Sequence, residues 1–131
     1  MRDKFVIIWN FIKKRIDSIH FAVNGVCIII RTQKNAWIHA LMTVLVIILS
    51  FKLKINEAEW ITIILAISVV WVAEGLNTAI ECLGDSVSSD YNPLIGKAKD
   101  VAAGAVLISA IGAATIGCIV FLPKLWQIIS C

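Results

Sequence analysis

WITIILAISVVWVAEGLNTAIECLGD, residues 60–85, starts as an apolar run and ends in acids. No charge occurs before Glu74. Glu74, Asn77, Glu81 and Asp85 then follow at spacings of three, four and four. On an α-helix those spacings place side chains on one face. The segment therefore reads as a helix with a single polar stripe over its last turns. From Trp60 to Gly84 it is long enough to cross a bilayer. An ionised carboxylate in lipid costs at least a few kcal/mol, so acids within a span face a protein interior or a wet cavity. One such acid is easily explained as structural. Four aligned polar groups point instead to a metal or proton-transfer site at one end of the span. Two carboxylates a turn or two apart suit Mg²⁺, while another can accept a proton.

The surrounding composition agrees with a membrane chain. Of 131 residues, 60% are hydrophobic and 16% charged, a balance that no single small soluble core could bury. The length suggests one domain, residues 1–131. The net charge is +3, but its distribution is more informative. Arg2, Lys4, Lys13, Lys14, Arg15, Arg31 and Lys34 all precede residue 35. Such a basic region suits nucleic acid or an anionic membrane surface; in so apolar a chain the membrane is favoured and no nucleic-acid partner is expected. Cys27, Cys82, Cys118 and Cys131 form no CxxC or Cys/His spacing and are assigned to packing. No cleavable signal peptide is expected.

Along the chain, Phe5, Ile8, Trp9, Ile12, Ile16 and Ile19 recur at helical spacing beside Lys13, Lys14 and Arg15. This predicts an amphipathic helix over 4–20, lying on the membrane with its basic residues near lipid phosphates. Three spans are predicted: 35–54, 60–84 and 100–122, with a loop over 85–99. Val101 to Leu122 carries no charge and would be about 33 Å long, with Pro123 expected to stop it. Trp37, Trp60 and Trp126 lie near span ends, as interfacial anchors do, and Trp71 is read as packing. The basic N-terminal segment and the 85–99 loop share one side, while Lys52, Lys54 and Lys124 lie on the other. The excess of positive charge places the N-terminus in the cytoplasm and the C-terminus outside. Small residues in the third span, among them Ala103, Gly104, Gly112 and Gly117, allow close helix approach within a subunit or between copies.

The loop and the first residue of the third span supply Asp90, Tyr91, Asn92, Lys97, Lys99 and Asp100. Lysines beside a carboxylate-bound Mg²⁺ suit a nucleotide polyphosphate, although a positive-inside loop accounts for them equally well. There is no GxxxxGK[ST] loop and no Gly-rich, HRD and DFG set. Any nucleotide is therefore held by another device.

AEGLNTAIECLGD followed by KAKDVAAGAVLISA closely resembles the signature of the prokaryotic diacylglycerol kinase family, small membrane enzymes with three spans. Its Glu-x-x-Asn-[ST]-Ala-Ile-Glu block corresponds to Glu74–Glu81, and its Ala-Lys-Asp-x-x-[AS] block to Ala98–Ala103. The resemblance runs from about Phe21 to Pro123. It implies an all-α integral membrane fold, a surface helix plus three spans, assembled as a homotrimer in the bacterial inner membrane. It also implies ATP-dependent phosphorylation of a lipid hydroxyl, diacylglycerol to phosphatidic acid, at the cytoplasmic face.

By the same match, Glu74 would be the general base contacting the lipid, Asn77 would orient the reacting groups, and Glu81 would hold Mg²⁺. Lys99 and Asp100 would hold ATP, with Asp90, Tyr91, Asn92, Lys14 and Phe21 in the nucleotide-binding set. Ala103 would lie near the lipid headgroup, where the diacylglycerol branch commonly has Ser. One departure stands out. The family usually has Glu, as a second metal ligand, eight residues after the Gly matched by Gly25; here that residue is Gln33. Gln can coordinate through its carbonyl oxygen but brings no charge.

NAWIHA and DYNPLIGKAKDVAAGAV resemble the undecaprenol kinase branch, which makes undecaprenol an alternative acceptor. A CDP-alcohol phosphotransferase lacks support, since its Asp-Gly, Ala-Arg, Gly, Asp, Asp run is missing. A non-enzymatic membrane assembly or ion-pathway protein is a further alternative. It predicts ion flux without ATP turnover.

Overall fold

The structure, a computed structural model, describes the backbone of residues 2–87 and 92–130 and the side chains of 9, 11–87 and 92–130. Four α-helices follow in order: α1 (Arg2–Thr32), α2 (Lys34–Lys52), α3 (Glu57–Val87) and α4 (Pro93–Ile129). The last three are long and apolar enough to cross a membrane. The chain divides into two compact units, residues 1–34 and 35–131.

In the first unit α1 is a single helix that continues past the predicted residue 20 to Thr32. Nothing in FAVNGVCIII breaks it; Gly25 has open space around it and lowers helix propensity by only about 1 kcal/mol. Trp9, Ile12, Ile16 and Ile19 are all exposed, and their spacing sets them along one side of the helix. Arg15 lies over the Phe11 ring, 4.9 Å from its centroid.

In the second unit α3 and α4 run antiparallel. An Asp85–Lys99 ion pair of 2.7 Å joins them at one end, and a Glu59–Lys124 pair of 3.0 Å at the other. Gly84 permits the close approach near the first pair, since a Cβ there would lie 2.8 Å from Ile95 Cγ2. Helix α2 also runs antiparallel to α3: Phe51 packs on Trp60, with ring centroids 4.9 Å apart, and His39 lies beside Trp71. Ile55, Ile63, Val120 and Phe121 form the core, with Val46, Leu49, Ile67 and Ile116 packed around it. Most other large apolar side chains on the three helices are exposed, as expected where lipid or another copy replaces water.

The turn between α2 and α3 is made by Lys54, in the left-handed conformation with φ 48°. A reciprocal capping box then opens α3. The Glu59 backbone N–H donates to Asn56 Oδ1 at 3.0 Å, and the Asn56 backbone N–H donates to Glu59 Oε2 at 2.7 Å.

Helix α4 also differs from the sequence reading, at both of its ends. Helix α4 starts at Pro93, so residues 93–99 are helical rather than loop. Asn92 caps this start, its side chain accepting from the Leu94 N–H at 2.9 Å, and Pro93 takes the first turn, where its missing N–H costs nothing. At the other end, Pro123 does not stop α4, which continues to Ile129. Proline inside an apolar helix is tolerated when neighbouring structure supports the freed carbonyl, and the Lys124–Glu59 pair anchors this turn to α3.

Asn56→Ala should lower stability by about 1 kcal/mol through loss of the cap, while Asn56→Asp should retain most of it. Chemical denaturation of the protein in micelles, followed by circular dichroism, measures both.

Candidate active site

The polar stripe of α3 is graded along the helix. Glu74, Asn77 and Thr78 are buried, Glu81 is half-buried and Asp85 is exposed. Only 1% of Glu74 is accessible, so its carboxyl group has effectively no contact with the surroundings. Thr78 Oγ1 donates to the Glu74 backbone carbonyl at 2.8 Å, and Asn77 Nδ2 donates to Glu81 Oε1 at 3.0 Å. From Glu74 to Asp85 the helix rises about 16 Å, roughly half a bilayer core. The stripe therefore passes from buried to exposed surroundings.

Facing Glu74 from α2 is His39, which the sequence reading did not single out as a site residue. Its Nε2 is 3.7 Å from Glu74 Oε2. His39 Nε2, both carboxylate oxygens of Glu74 and Asn77 Oδ1 are buried with no hydrogen-bond partner. Such atoms are rare in native proteins and each one needs a reason. Among the described residues two of these atoms, His39 Nε2 and Glu74 Oε2, face each other. The signal that identifies His39 is an ionisable side chain within residues 35–51, a stretch otherwise free of charge.

The His39 ring is braced by Trp71, edge-on with centroids 6.4 Å apart and planes at 66°. Thr43 Oγ1 accepts from Trp71 Nε1 at 3.1 Å and donates to the His39 carbonyl at 2.7 Å. Trp71, read as simple packing, is thus part of a polar link between α2 and α3. Beside this link lies an apolar cavity of about 410 Å³, lined by His39, Met42, Val70, Ala113, Gly117 and Phe121 among others. The small residues of α4 make room for it.

At the outer end of the stripe, Lys99 Nζ donates to Asp85 Oδ1 at 2.7 Å. This brings a predicted phosphate-binding lysine next to the last acid of the stripe. Asp100 and Ala103 are exposed on α4. Asn92 is engaged as the α4 cap, a local structural role beside the predicted nucleotide-binding one. Asp90 and Tyr91 lie outside the described residues. Lys14, Phe21 and Gln33 belong to the N-terminal unit. There Lys14 and Phe21 are exposed, and the Gln33 backbone N–H bonds to the Ile29 carbonyl at 3.0 Å.

Among the described residues no group of three or more His, Cys, Asp or Glu side chains is placed to hold a metal. Mg²⁺ is commonly held by one or two carboxylates, substrate phosphates and water rather than by an all-protein cage. Glu81 and Asp85, one turn apart at the wet end, offer such a partial site.

With this geometry in place, the comparisons with known proteins decide the family. The family model for prokaryotic diacylglycerol kinase matches residues 20–121. The chain belongs to the prokaryotic diacylglycerol kinase family. It is 37% identical to an undecaprenol kinase of Bacillus subtilis (strain 168) over 116 residues, 88% of this chain and 94% of the relative. It is 36% identical to a diacylglycerol kinase of Synechocystis over 118 residues, 89% of this chain and 67% of the relative. A diacylglycerol kinase of Escherichia coli (strain K12) is 32% identical over 93 residues, 66% of this chain and 76% of the relative. The matched region includes the whole α3 stripe and His39.

The Trp71–Thr43 link carries its own prediction. Thr43→Val keeps the shape but leaves the Trp71 N–H without an acceptor, at a cost of about 1–3 kcal/mol. Denaturation midpoints of the two proteins in micelles measure it.

Proposed function

We propose that this chain is a membrane lipid kinase that transfers the γ-phosphoryl group of ATP to the primary hydroxyl of a bilayer lipid. Membership of the family supports lipid kinase activity and, with it, a nucleotide substrate. The observation that carries the residue assignments is the buried, unpartnered Glu74 carboxyl at the dry end of the graded stripe.

In this reading Glu74 is the general base. It takes the proton as the lipid O–H bond breaks. The lipid oxygen forms a bond to the γ-phosphorus, the bond from that phosphorus to the bridging oxygen breaks, and ADP leaves with the electron pair. Phosphoryl transfer depends mainly on positioning and charge neutralisation. Asn77, bonded to Glu81, orients the groups between base and phosphate. Lys99 leaves or shares its pairing with Asp85 to meet phosphate. Asp100, Asp90, Tyr91, Asn92, Lys14 and Phe21 complete the nucleotide-binding set that the resemblance implies. Glu81 is the proposed Mg²⁺ ligand, and the resemblance adds Gln33 as an uncharged one; the ion supplies neutralisation of phosphate charge. Ala103 borders the lipid headgroup.

The proposed setting is the bacterial inner membrane, with the N-terminus cytoplasmic and the C-terminus outside. The apolar stripe of α1 lies on the inner surface, and the chains assemble as homotrimers. The exposed apolar surfaces of α2 to α4 support such an assembly. The proposed acceptor is diacylglycerol, yielding phosphatidic acid. A second reading, undecaprenol yielding undecaprenyl phosphate, is favoured by the Bacillus subtilis relative, which is matched over 94% of its length.

The protein in mixed micelles with γ-labelled ATP should move label into an organic-extractable lipid when diacylglycerol and undecaprenol are offered side by side. The faster acceptor identifies the substrate, and transfer to neither defeats the kinase reading. Glu74→Gln should lower kcat about 100- to 10,000-fold while the protein stays folded; a full rate would exclude it as base. Gln33→Glu should lower the Mg²⁺ concentration needed for half-maximal rate. An unchanged requirement places residue 33 outside the metal shell.

A further inference from the structure

Burial leaves Glu74 few ways to hold its orientation. A carboxyl group at the end of a chain of rotatable bonds, with no hydrogen bond to either oxygen among the described residues, can turn, and a turned base is a poor one. Misplacement of a reacting group by about 1 Å can cost about 100-fold in rate. The other ladder residues do not supply the restraint. Asn77 gives its amide N–H to Glu81, and Thr78 bonds the Glu74 backbone rather than its side chain. Asp85 is engaged with Lys99.

The described group that faces the carboxylate is His39, with Nε2 at 3.7 Å from Oε2. Two observations set this pair apart from incidental packing. Both partners lack any other hydrogen bond at the facing atoms. The His39 ring is also fixed independently of Glu74: Trp71 presents its edge to it, and Thr43 ties the Trp71 indole to the His39 backbone carbonyl. A separation of 3.7 Å is longer than a hydrogen bond, but a torsion change in the Glu74 side chain closes it. Catalytic hydrogen bonds are often long in the ligand-free state and tighten in the complex.

We propose that His39 is the positioning residue of Glu74: its Nε2–H, donated to Oε2, holds the carboxylate so that Oε1 meets the hydroxyl of the acceptor lipid. The proposal rests on Glu74 being the base. His39 is not consumed in the reaction. The lipid proton goes to Glu74, and the imidazole keeps its own proton throughout. The arrangement gives α2 a part in the chemistry that the α3 and α4 sequence motifs do not contain.

Two measurements test the pair separately from the activity. The chain has two histidines, so ¹⁵N-histidine labelling of the full-length protein in micelles gives two imidazole spin systems, assigned with His20→Gln. Glu74→Gln should shift the Nε2 resonance of His39 by several ppm and leave that of His20 in place. An unmoved His39 resonance overturns the proposal.

In the labelled-ATP assay, run with both lipids, His39→Phe should lower kcat about 10- to 100-fold with the KM for ATP unchanged. His39→Gln, which restores an N–H donor at similar reach, should recover most of the loss. If His39→Phe keeps more than half of kcat, or if His39→Gln is no better than His39→Phe, His39 does not position the base. Absence of transfer by the unsubstituted protein would defeat the kinase reading instead, while the nitrogen resonance would still decide whether the pair exists.

Discussion

A carboxyl group placed inside an apolar span is the constraint around which this chain is arranged. Glu74 lies among residues that would serve a lipid-facing helix, yet it is withdrawn almost completely from the surface. Withdrawal demands neighbours on more than one side. Helix α2 covers it with His39, and the polar stripe continues from it along α3 through Asn77. Removing a charge from water without compensation costs several kcal/mol even after relaxation. A fold keeps such a group only where it is matched or used. Among the described residues both carboxylate oxygens of Glu74 lack a hydrogen bond, and the proposed catalytic use would account for that.

The ends of the α3–α4 hairpin explain how so apolar a pair keeps its register. In lipid there is little hydrophobic drive between helices, so packing and polar contacts decide the alignment. Asp85–Lys99 and Glu59–Lys124 lie at opposite ends, near where water is available, and Gly84 allows close contact at the first. These ion pairs are partly exposed, so each contributes modestly to stability; their joint effect is alignment. In the proposed reaction Lys99 also serves the nucleotide. The residue that closes the hairpin would then be the one that senses phosphate.

Much of this was legible because the pattern is strong. Spacings of three and four expose the stripe, and long uncharged runs expose the spans. What escaped the sequence has physical causes. Pro123 is a stop signal in water-soluble helices, but in an apolar setting the neighbouring structure keeps the helix going. Asn92 and Pro93 together form a helix start, but an Asn-Pro pair signals a turn equally well. His39 gives little signal by itself, since a lone histidine in an apolar stretch fits packing as well as a site. Its partner lies 35 residues away on another helix, so no local spacing could connect the two. The cavity beside Trp71 likewise depends on α4 packing, which the small-residue pattern permits without locating.

The gradient along the stripe also separates the two tasks of a lipid kinase. In the proposed reaction phosphate is met by a group that an aqueous nucleotide can reach, and Lys99 is accessible. The proton of a bilayer-dissolved alcohol goes to a base withdrawn from the surface, and Glu74 is so withdrawn. Asn77 and Glu81 lie between the two and are joined by a hydrogen bond. On that proposal one rigid helix carries both the base and the acidic groups nearest the nucleotide, so their separation is set by backbone geometry rather than by mobile loops. Water that reached Glu74 could compete as an acceptor for the same phosphoryl group. The burial that makes the carboxyl costly is then also what directs transfer to the lipid.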